Sequence, residues 1–263
     1  MLRLPDHWVW DSWVADDGID YHLYFLMAPR ALKDPSKRHL AARVGHAVSR
    51  DLVEWHFRGE CFGPFEAAFD DLAIWTGSVV RDHDHWRMFY TALSKAGHHI
   101  YDQRVGSAVS DDLHHWHRVS PEPALRVDGR WYKTLANTPP PTTGPDLEGY
   151  SETWRDPVVI RDPEGDGWHL LVTARSVAAG RNDDGVIAHA TSLDLSTWTL
   201  GRPFATRAPV SVSSRCSRTS SWRTVRSWPS PATRRNRPQS ASPSRASTAP
   251  GRSPPPERSG PGT

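Results

Sequence analysis

Three short stretches hold the residue types that sugar chemistry needs. Trp10-Asp11-Ser12-Trp13 sets a carboxylate among tryptophans, with Trp8 just upstream. Indole rings stack on the C–H faces of sugars, and apolar surroundings tune a nearby carboxyl, so an Asp in this setting can attack a sugar carbon. The same four residues also read as a core strand whose Asp caps a turn. Trp75-Thr76-Gly77-Ser78 offers two hydroxyls beside another indole, suited to bonding sugar hydroxyls. Trp154-Arg155-Asp156-Pro157 adds a second carboxylate next to a guanidinium that can neutralise or orient a carboxylate or a hydroxyl. The candidate chemistry therefore rests on Asp11 and Asp156. Trp10, Trp13, Trp75, Thr76, Ser78, Trp154 and Arg155 are the candidate substrate contacts.

These stretches are up to about 145 residues apart, so a repeated architecture must bring them together. Val44-Gly-His-Ala-Val-Ser-Arg-Asp-Leu-Val-Glu-Trp55 is echoed by Val105-Gly-Ser-Ala-Val-Ser-Asp-Asp-Leu-His-His-Trp116. It is echoed again by Ile187-Ala-His-Ala-Thr-Ser-Leu-Asp-Leu-Ser-Thr-Trp198. Each copy reads as a strand, a tight Ser-x-Asp turn and a further strand opened by Trp. Ser and Asp suit the turn because their side chains bond nearby backbone N–H groups. Trp10, Trp75 and Trp154 open the runs upstream, 45, 41 and 44 residues before the closing Trp of each unit. Each unit contains four strand-like runs: 7–14, 21–27, 43–49 and 55–58, then 73–81, 86–91, 103–110 and 116–119, then 154–161, 168–174, 185–191 and 198–200. Four-stranded units of 40–50 residues are propeller blades, here about 5–59, 73–120 and 154–205. The first strand of each blade lines a central channel, so the three motifs converge on one funnel. Residues 121–150, with Pro139-Pro-Pro141, read as a polar loop over one mouth. Arg161-Asp162-Pro163, followed by Glu-Gly-Asp-Gly, reads as hairpin chemistry and not as site.

With these motifs in this order, residues 5–205 resemble the five-bladed β-propeller glycoside hydrolases of the fructan-active group, glycoside hydrolase family 32 and its relatives in family 68. The resemblance implies an all-β fold and retaining hydrolysis or transfer on sucrose or fructans. In that group the first-blade Asp is the nucleophile, matched by Asp11. The third-blade Arg-Asp-Pro supplies a transition-state stabiliser, matched by Asp156. The second-blade Trp-Thr-Gly-Ser helps form the sugar pocket. Trp-Asp-Ser-Trp departs from the Asn-Asp-Pro-Asn form common in family 32 and leans toward family 68. An inverting propeller glycosidase acting on arabinans or xylans, and a non-catalytic sugar-binding propeller, are the competing readings. The implied ligand is a small sugar or oligosaccharide. The resemblance requires no metal or organic cofactor.

Composition agrees up to about residue 205 and breaks there. Residues 1–205 hold 21 Lys+Arg against 29 Asp+Glu, whereas residues 206–263 hold 11 Arg and one acid, Glu257. The whole-chain formal charge of +2 therefore describes neither piece. Eleven of the 13 Trp precede residue 206. Cys61 and Cys216 make no disulfide framework or metal spacing. His83, His85, His98, His99, His114, His115 and His117 recur with turns and read as surface residues. No apolar run nears membrane length and no leader pattern opens the chain, so a soluble, cytoplasmic protein without membrane or nucleic-acid partners is expected. The sequence carries no signature of oligomeric state.

The family's general acid is a Glu opening the fourth blade, and the stretch where it belongs holds none. Residues 206–263 carry 14 Ser, 11 Arg and 10 Pro with no strand pattern, and read as a disordered tail. A native basic tail and a shifted reading frame in a GC-rich gene both produce this composition. Either way, a propeller short of two blades has unclosed faces and is expected to be poorly stable and weakly active. The frame-shift reading predicts that sequencing the gene beyond codon 205 reveals, in another frame, an open reading frame with strand patterning and a Glu near its start. Absence of such a frame leaves the native tail.

Overall fold

The computed structural model describes residues 2–96, 102–137, 152–178 and 184–203. The chain falls into two units, Met1–Ser211 and Val212–Thr263, and the second lies outside the described residues. The expectations for the Arg/Ser/Pro tail, for Pro139–Pro141 and for His98 and His99 also lie outside them.

The aromatic and β-branched runs form three antiparallel sheets of four strands each, every sheet a meander in chain order. The first holds β1 (His7–Asp16), β2 (Tyr21–Pro29), β3 (Arg43–Ser49) and β4 (His56–Phe62). The second holds β5 (Ala73–Asp82), β6 (His85–Leu93), β7 (Gln103–Ser110) and β8 (His117–Arg118). The third holds β9 (Trp154–Arg161), β10 (Trp168–Arg175), β11 (Gly185–Ser192) and β12 (Thr199–Leu200). These are the three blades, and their strands match the runs read from the sequence to within a few residues. Two features differ. The β2–β3 connection carries 3-10 turns at Arg30–Leu32 and Pro35–Ala41, with the Asp34 side chain accepting from the Ser36 N–H. The part of the 121–150 segment that is described, residues 121–137, is less polar in effect than in composition. Leu125 and Tyr132 are buried against Trp154, and the Tyr132 hydroxyl donates to the Gly201 carbonyl at 2.9 Å.

Blade packing follows from side-chain size. Gly45 and Gly106 hold the small position of the repeat opposite Phe25 and Tyr90. A Cβ at either would lie 2.4 Å from the facing aromatic ring. In blade three the facing residue is Val172, and the small position is Ala188. The repeat keeps glycine where the neighbour is aromatic and accepts a methyl where it is not.

The turns explain the rest of the repeat. Ser49, Ser110 and Ser192 accept through Oγ from the N–H two residues on. Asp51, Asp112 and Asp194 each accept two further N–H bonds through Oδ1. Those bonds hold the Asp51 and Asp194 carboxyls below the usual range; at Asp112 burial opposes the lowering most strongly, and the His115 side chain adds to the same bonds to overcome it. They also hold the following leucine in the left-handed region, with φ of 64° at Leu52, 64° at Leu113 and 57° at Leu195. So held, the leucine enters the face of the preceding blade. The Leu113 carbonyl accepts from the Tyr24 hydroxyl at 2.7 Å, and the Leu195 carbonyl from Arg87 Nη1 at 3.3 Å. Trp116 and Trp198 meet Tyr24 and Phe89 edge to face. Leu113 and Leu195 are both 1% exposed, whereas Leu52, in the turn of the first blade, is 50% exposed.

The joint between blades one and two also buries a histidine pair. His22 Nδ1 lies 3.0 Å from His46 Nε2, and His114 of the blade-two turn packs edge-on against both rings. His114 is thus an interface residue and not the surface residue expected. Burial lowers the His22 value despite its contact with Asp17, and takes His46 down to about 3, helped by His114 and His22. With Asp17 accepting from His22 Nε2–H, the pair is satisfied when both rings are neutral and His46 donates.

Two outcomes follow. In dilute solution Leu113→Ala and Leu195→Ala should each cost about 2–4 kcal/mol in denaturant unfolding, and Leu52→Ala under about 0.5. Because the folded values of His22 and His46 lie below the unfolded value, the unfolded chain takes up protons first as pH falls. Stability is complete above about pH 6.5 and declines toward His46's folded value of about 3, at up to about 1.4 kcal/mol per pH unit for each ring. His46→Gln should flatten this decline in urea titrations run from pH 7 to pH 4.

Candidate active site

The first strand of every blade carries a bulge at the same level. In β1, Trp10 pairs with Leu26 and Ser12 with Phe25, leaving Asp11 without an opposite residue. In β5, Trp75 pairs with Thr91 and Gly77 with Tyr90, leaving Thr76. In β9, Arg155 pairs with Thr173 and Val158 with Leu171, so Asp156 and Pro157 share the place opposite Val172. A bulge turns its extra residue out of the regular alternation and re-aims the side chain. Here it takes a carboxylate, a hydroxyl and a carboxylate out of three separate sheets. Asp11 (φ 36°) and Asp156 (φ 55°) are, among the described residues, the two non-glycine residues inside strands with left-handed backbone. Each costs on the order of 1–2 kcal/mol, which the flanking ladders must hold in place. Gly77 permits the close crossing in β5, since a Cβ there would lie 2.3 Å from the Phe89 carbonyl oxygen.

Hydrogen bonds tie the bulges together across the blades. Thr76 Oγ1 donates to Asp11 Oδ2 at 2.9 Å. The buried Thr91 donates through Oγ1 to the Thr76 carbonyl at 3.1 Å and accepts there from the Asp156 N–H at 2.8 Å. Ser78 Oγ accepts from the Val159 N–H at 3.1 Å. Blade two thus orients the carboxylate of blade one and the backbone of blade three. Arg155 Nε lies 3.3 Å from Asp156 Oδ2. Burial raises the Asp156 value most; Arg155 and a hydrogen bond with Thr173 pull it down, and the charge of Asp11 pushes it up. Asp11 thus lies near enough to Asp156 for its charge to act there.

A residue that the sequence reading missed completes the wall. His39, on the 3-10 turn between β2 and β3, is flanked edge-to-face by Trp10 at 5.9 Å and Trp75 at 6.0 Å. Its carbonyl accepts from Trp75 Nε1 at 2.7 Å. Burial and then Arg38 lower its value, opposed by Asp11. Arg38 in turn lies over the Trp10 ring at 5.4 Å. The only sequence cue was a histidine in the polar loop leading from the second strand of the blade to the third.

The nine predicted residues divide accordingly. Asp11, Thr76, Asp156 and Arg155 come together as one hydrogen-bonded and charged group, and Trp10 and Trp75 bracket its edge. The Thr76 hydroxyl donates its hydrogen bond to Asp11, so Thr76 positions the carboxylate where a sugar contact was expected. Ser78 braces β9. Trp154 corrects the reading most: it is fully buried, its Nε1 donates to the Leu125 carbonyl, and Tyr132 packs on its ring. Trp13 stacks on Tyr24 between blades one and two. Trp154 is a core residue with no face left for a sugar, whereas Trp13 is partly buried at the joint. Among the described residues no group of three or more His, Cys, Asp or Glu could hold a metal ion.

Comparison with known proteins identifies the family. Residues 13–212 match the Glycosyl hydrolases family 32 N-terminal domain. The chain is 25% identical over 197 residues to an invertase of Kluyveromyces lactis, covering 73% of this chain and 28% of that protein. It is 28% identical over 203 residues to an invertase of Schizosaccharomyces pombe, covering 74% and 30%. The chain therefore spans less than a third of the length of these relatives. Among solved structures, the inulosucrase from Halalkalicoccus jeotgali bound to kestose superposes with a TM-score of 0.58 at 26% identity, covering 76% of this chain and 53% of that one. The β-fructofuranosidase from Schwanniomyces occidentalis complexed with fructosyl-erythritol shares the fold, with a TM-score of 0.55 at 20% identity, covering 78% and 35%. Three consecutive meander blades with this run of motifs, matched over most of their length by one family domain, place the chain in glycosyl hydrolase family 32.

Proposed function

We propose that this chain carries the sugar-attacking half of a retaining β-fructofuranosidase or levanase acting on sucrose or fructans, with Asp11 as nucleophile and Asp156 as stabiliser. The observation that carries it is the joining of the two strained bulges through Thr76 and Thr91. Membership in family 32 does not favour an arabinan- or xylan-cleaving enzyme.

The chemistry follows from the groups present. The Thr76 hydroxyl occupies one lone pair of Asp11 and fixes its orientation, so that the carboxylate can attack the anomeric carbon and form a fructosyl ester. Asp156, beside Arg155, accepts hydrogen bonds from sugar hydroxyls that strengthen as positive charge develops on the ring. His39, with its protonation disfavoured by burial and by Arg38, is a neutral hydrogen-bonding group at the rim between two indoles. The leaving oxygen of sucrose needs a proton, and the returning water needs a base. One third carboxyl serves both in a retaining enzyme. At the level of the bulges the first strands carry two carboxylates, Asp11 and Asp156, and no third among the described residues.

A substrate whose leaving group needs no proton separates these roles. With β-fructofuranosyl fluoride, the C–F bond breaks with its electron pair leaving on fluoride, and the Asp11 oxygen forms the ester. Without a base to activate water the ester should persist. Mass spectrometry of the 263-residue chain should then show one added fructosyl unit, located by peptide mapping to Asp11 and absent from Asp11→Asn. Sucrose turnover should lie at least about 10²-fold below reaction with the fluoride. A label that survives Asp11→Asn, or no label on a folded chain, refutes the assignment.

A further inference from the structure

We infer that the rim of the funnel holds an oxyanion subsite centred on Arg38, so that the favoured ligand is a sugar carrying a phosphate ester. The inference rests on the funnel being a sugar site. It is carried by one arginine that lacks what its peers have. Arg87, Arg104, Arg118, Arg155 and Arg175 are half-buried, and each meets a carboxylate. Arg38 is half-buried too, and no carboxylate meets it among the described residues. Its Nε is shielded from solvent and has no hydrogen-bond partner there. A charged donor withdrawn from water and left unmatched is costly, and an acceptor oxygen brought by a ligand removes that cost.

Arg38 stands beside the site. Its guanidinium lies over the Trp10 ring at 5.4 Å, and Trp10 meets His39 edge to face at 5.9 Å. The charges of Arg38 and Asp11 both act on His39, in opposite senses. Stacking on an indole uses the face of a guanidinium and leaves its N–H edge for an acceptor.

The loop that carries Arg38 has the matching charge. Residues 30–39 hold Arg30, Lys33, Lys37 and Arg38 against Asp34 alone. Asp34 is already engaged by the N–H and hydroxyl of Ser36. Residues 1–205 as a whole hold 21 Lys+Arg against 29 Asp+Glu, so this is a basic lip on an acidic body. Neutral sugar hydroxyls need no such excess. An anionic ligand does, because Asp11 and Asp156 repel it and a cationic rim offsets that repulsion. The planar fork of Arg38 takes the ester oxygens, while Lys33 and Lys37, both exposed, act at longer range and are screened by salt.

Isothermal titration calorimetry of the 263-residue chain at low ionic strength tests this. The probes are fructose 6-phosphate and glucose 6-phosphate, their parent sugars, and inorganic phosphate. At least one ester should bind at least about tenfold more tightly than its parent sugar and than inorganic phosphate. Arg38→Gln should abolish that preference with unchanged circular dichroism. Arg38→Lys, which keeps the charge, should retain part of it, and Arg50→Gln, which removes an exposed charge elsewhere on blade one, should retain all of it. Esters that bind no better than their parent sugars, or a preference that survives Arg38→Gln, would overturn the inference. So would inorganic phosphate binding as tightly as the better ester, which leaves a site for the free ion only. The fructosyl label on Asp11 is read separately. A chain that discriminates through Arg38 but takes no label fails the nucleophile assignment alone, and one that labels without discriminating fails this inference alone.

Discussion

A leucine held at positive φ by a serine and an aspartate is the constraint on which this protein depends. The turn is a local device, made of side-chain oxygens and backbone N–H groups two and three residues apart. Its effect is long-range, because the strained leucine is what one blade offers to the one before it. The aromatic at the matching place, Tyr24 or Phe89, meets the Trp that closes the turn. Sheets that are each a simple meander are ordered by this contact together with the bonds between their inner strands. The alignment of the inner strands rests on both.

The bulges draw on that alignment. A left-handed Asp in a strand is unfavourable in isolation, and both such residues lie where ladders on either side over-determine the backbone. The cross-blade bonds of Thr76 and Thr91 then convert three local irregularities into one site. The threonines show why the second blade matters although it carries no carboxylate at that level. Its hydroxyls set the distance and direction between a side chain on one neighbour and a main chain on the other. The raised value of Asp156 and the crowding of Trp10, His39 and Trp75 describe the same feature, a partly desolvated rim where charge is costly and directional groups are few.

Much of this was legible beforehand, for physical reasons. Alternating strands, acid-rich hairpins and the Ser-x-Asp turn are short-range chemistry, so the twelve strands and their grouping could be read directly. Asp11 and Asp156 were found because three weak motifs opened three repeats in order. What remained hidden depends on register. Trp10 and Trp75 lie one residue before their bulges, but Trp154 lies two before Asp156, so it points to the other face, where residues 124–132 fold over it. Trp13 belongs to a joint for the same kind of reason. Thr76 and Ser78 looked like sugar ligands, but the strand spacing brings Asp11 and Val159 to them first. His39 sits on a 3-10 turn that has no periodicity to betray it. His114 reads as a surface residue until the neighbouring blade's histidine pair is in view.

The equivalence of the three bulges has a bearing on descent. The irregular position belongs to the repeating unit and not to the chemistry, since it is present in blade two, where the residue is Thr76. A duplicated blade thus arrives with an aimed, strained position already built, and one codon decides whether it holds an acid or a hydroxyl. In such an architecture an active site can be acquired or reassigned by changes at single positions that the scaffold already points inward.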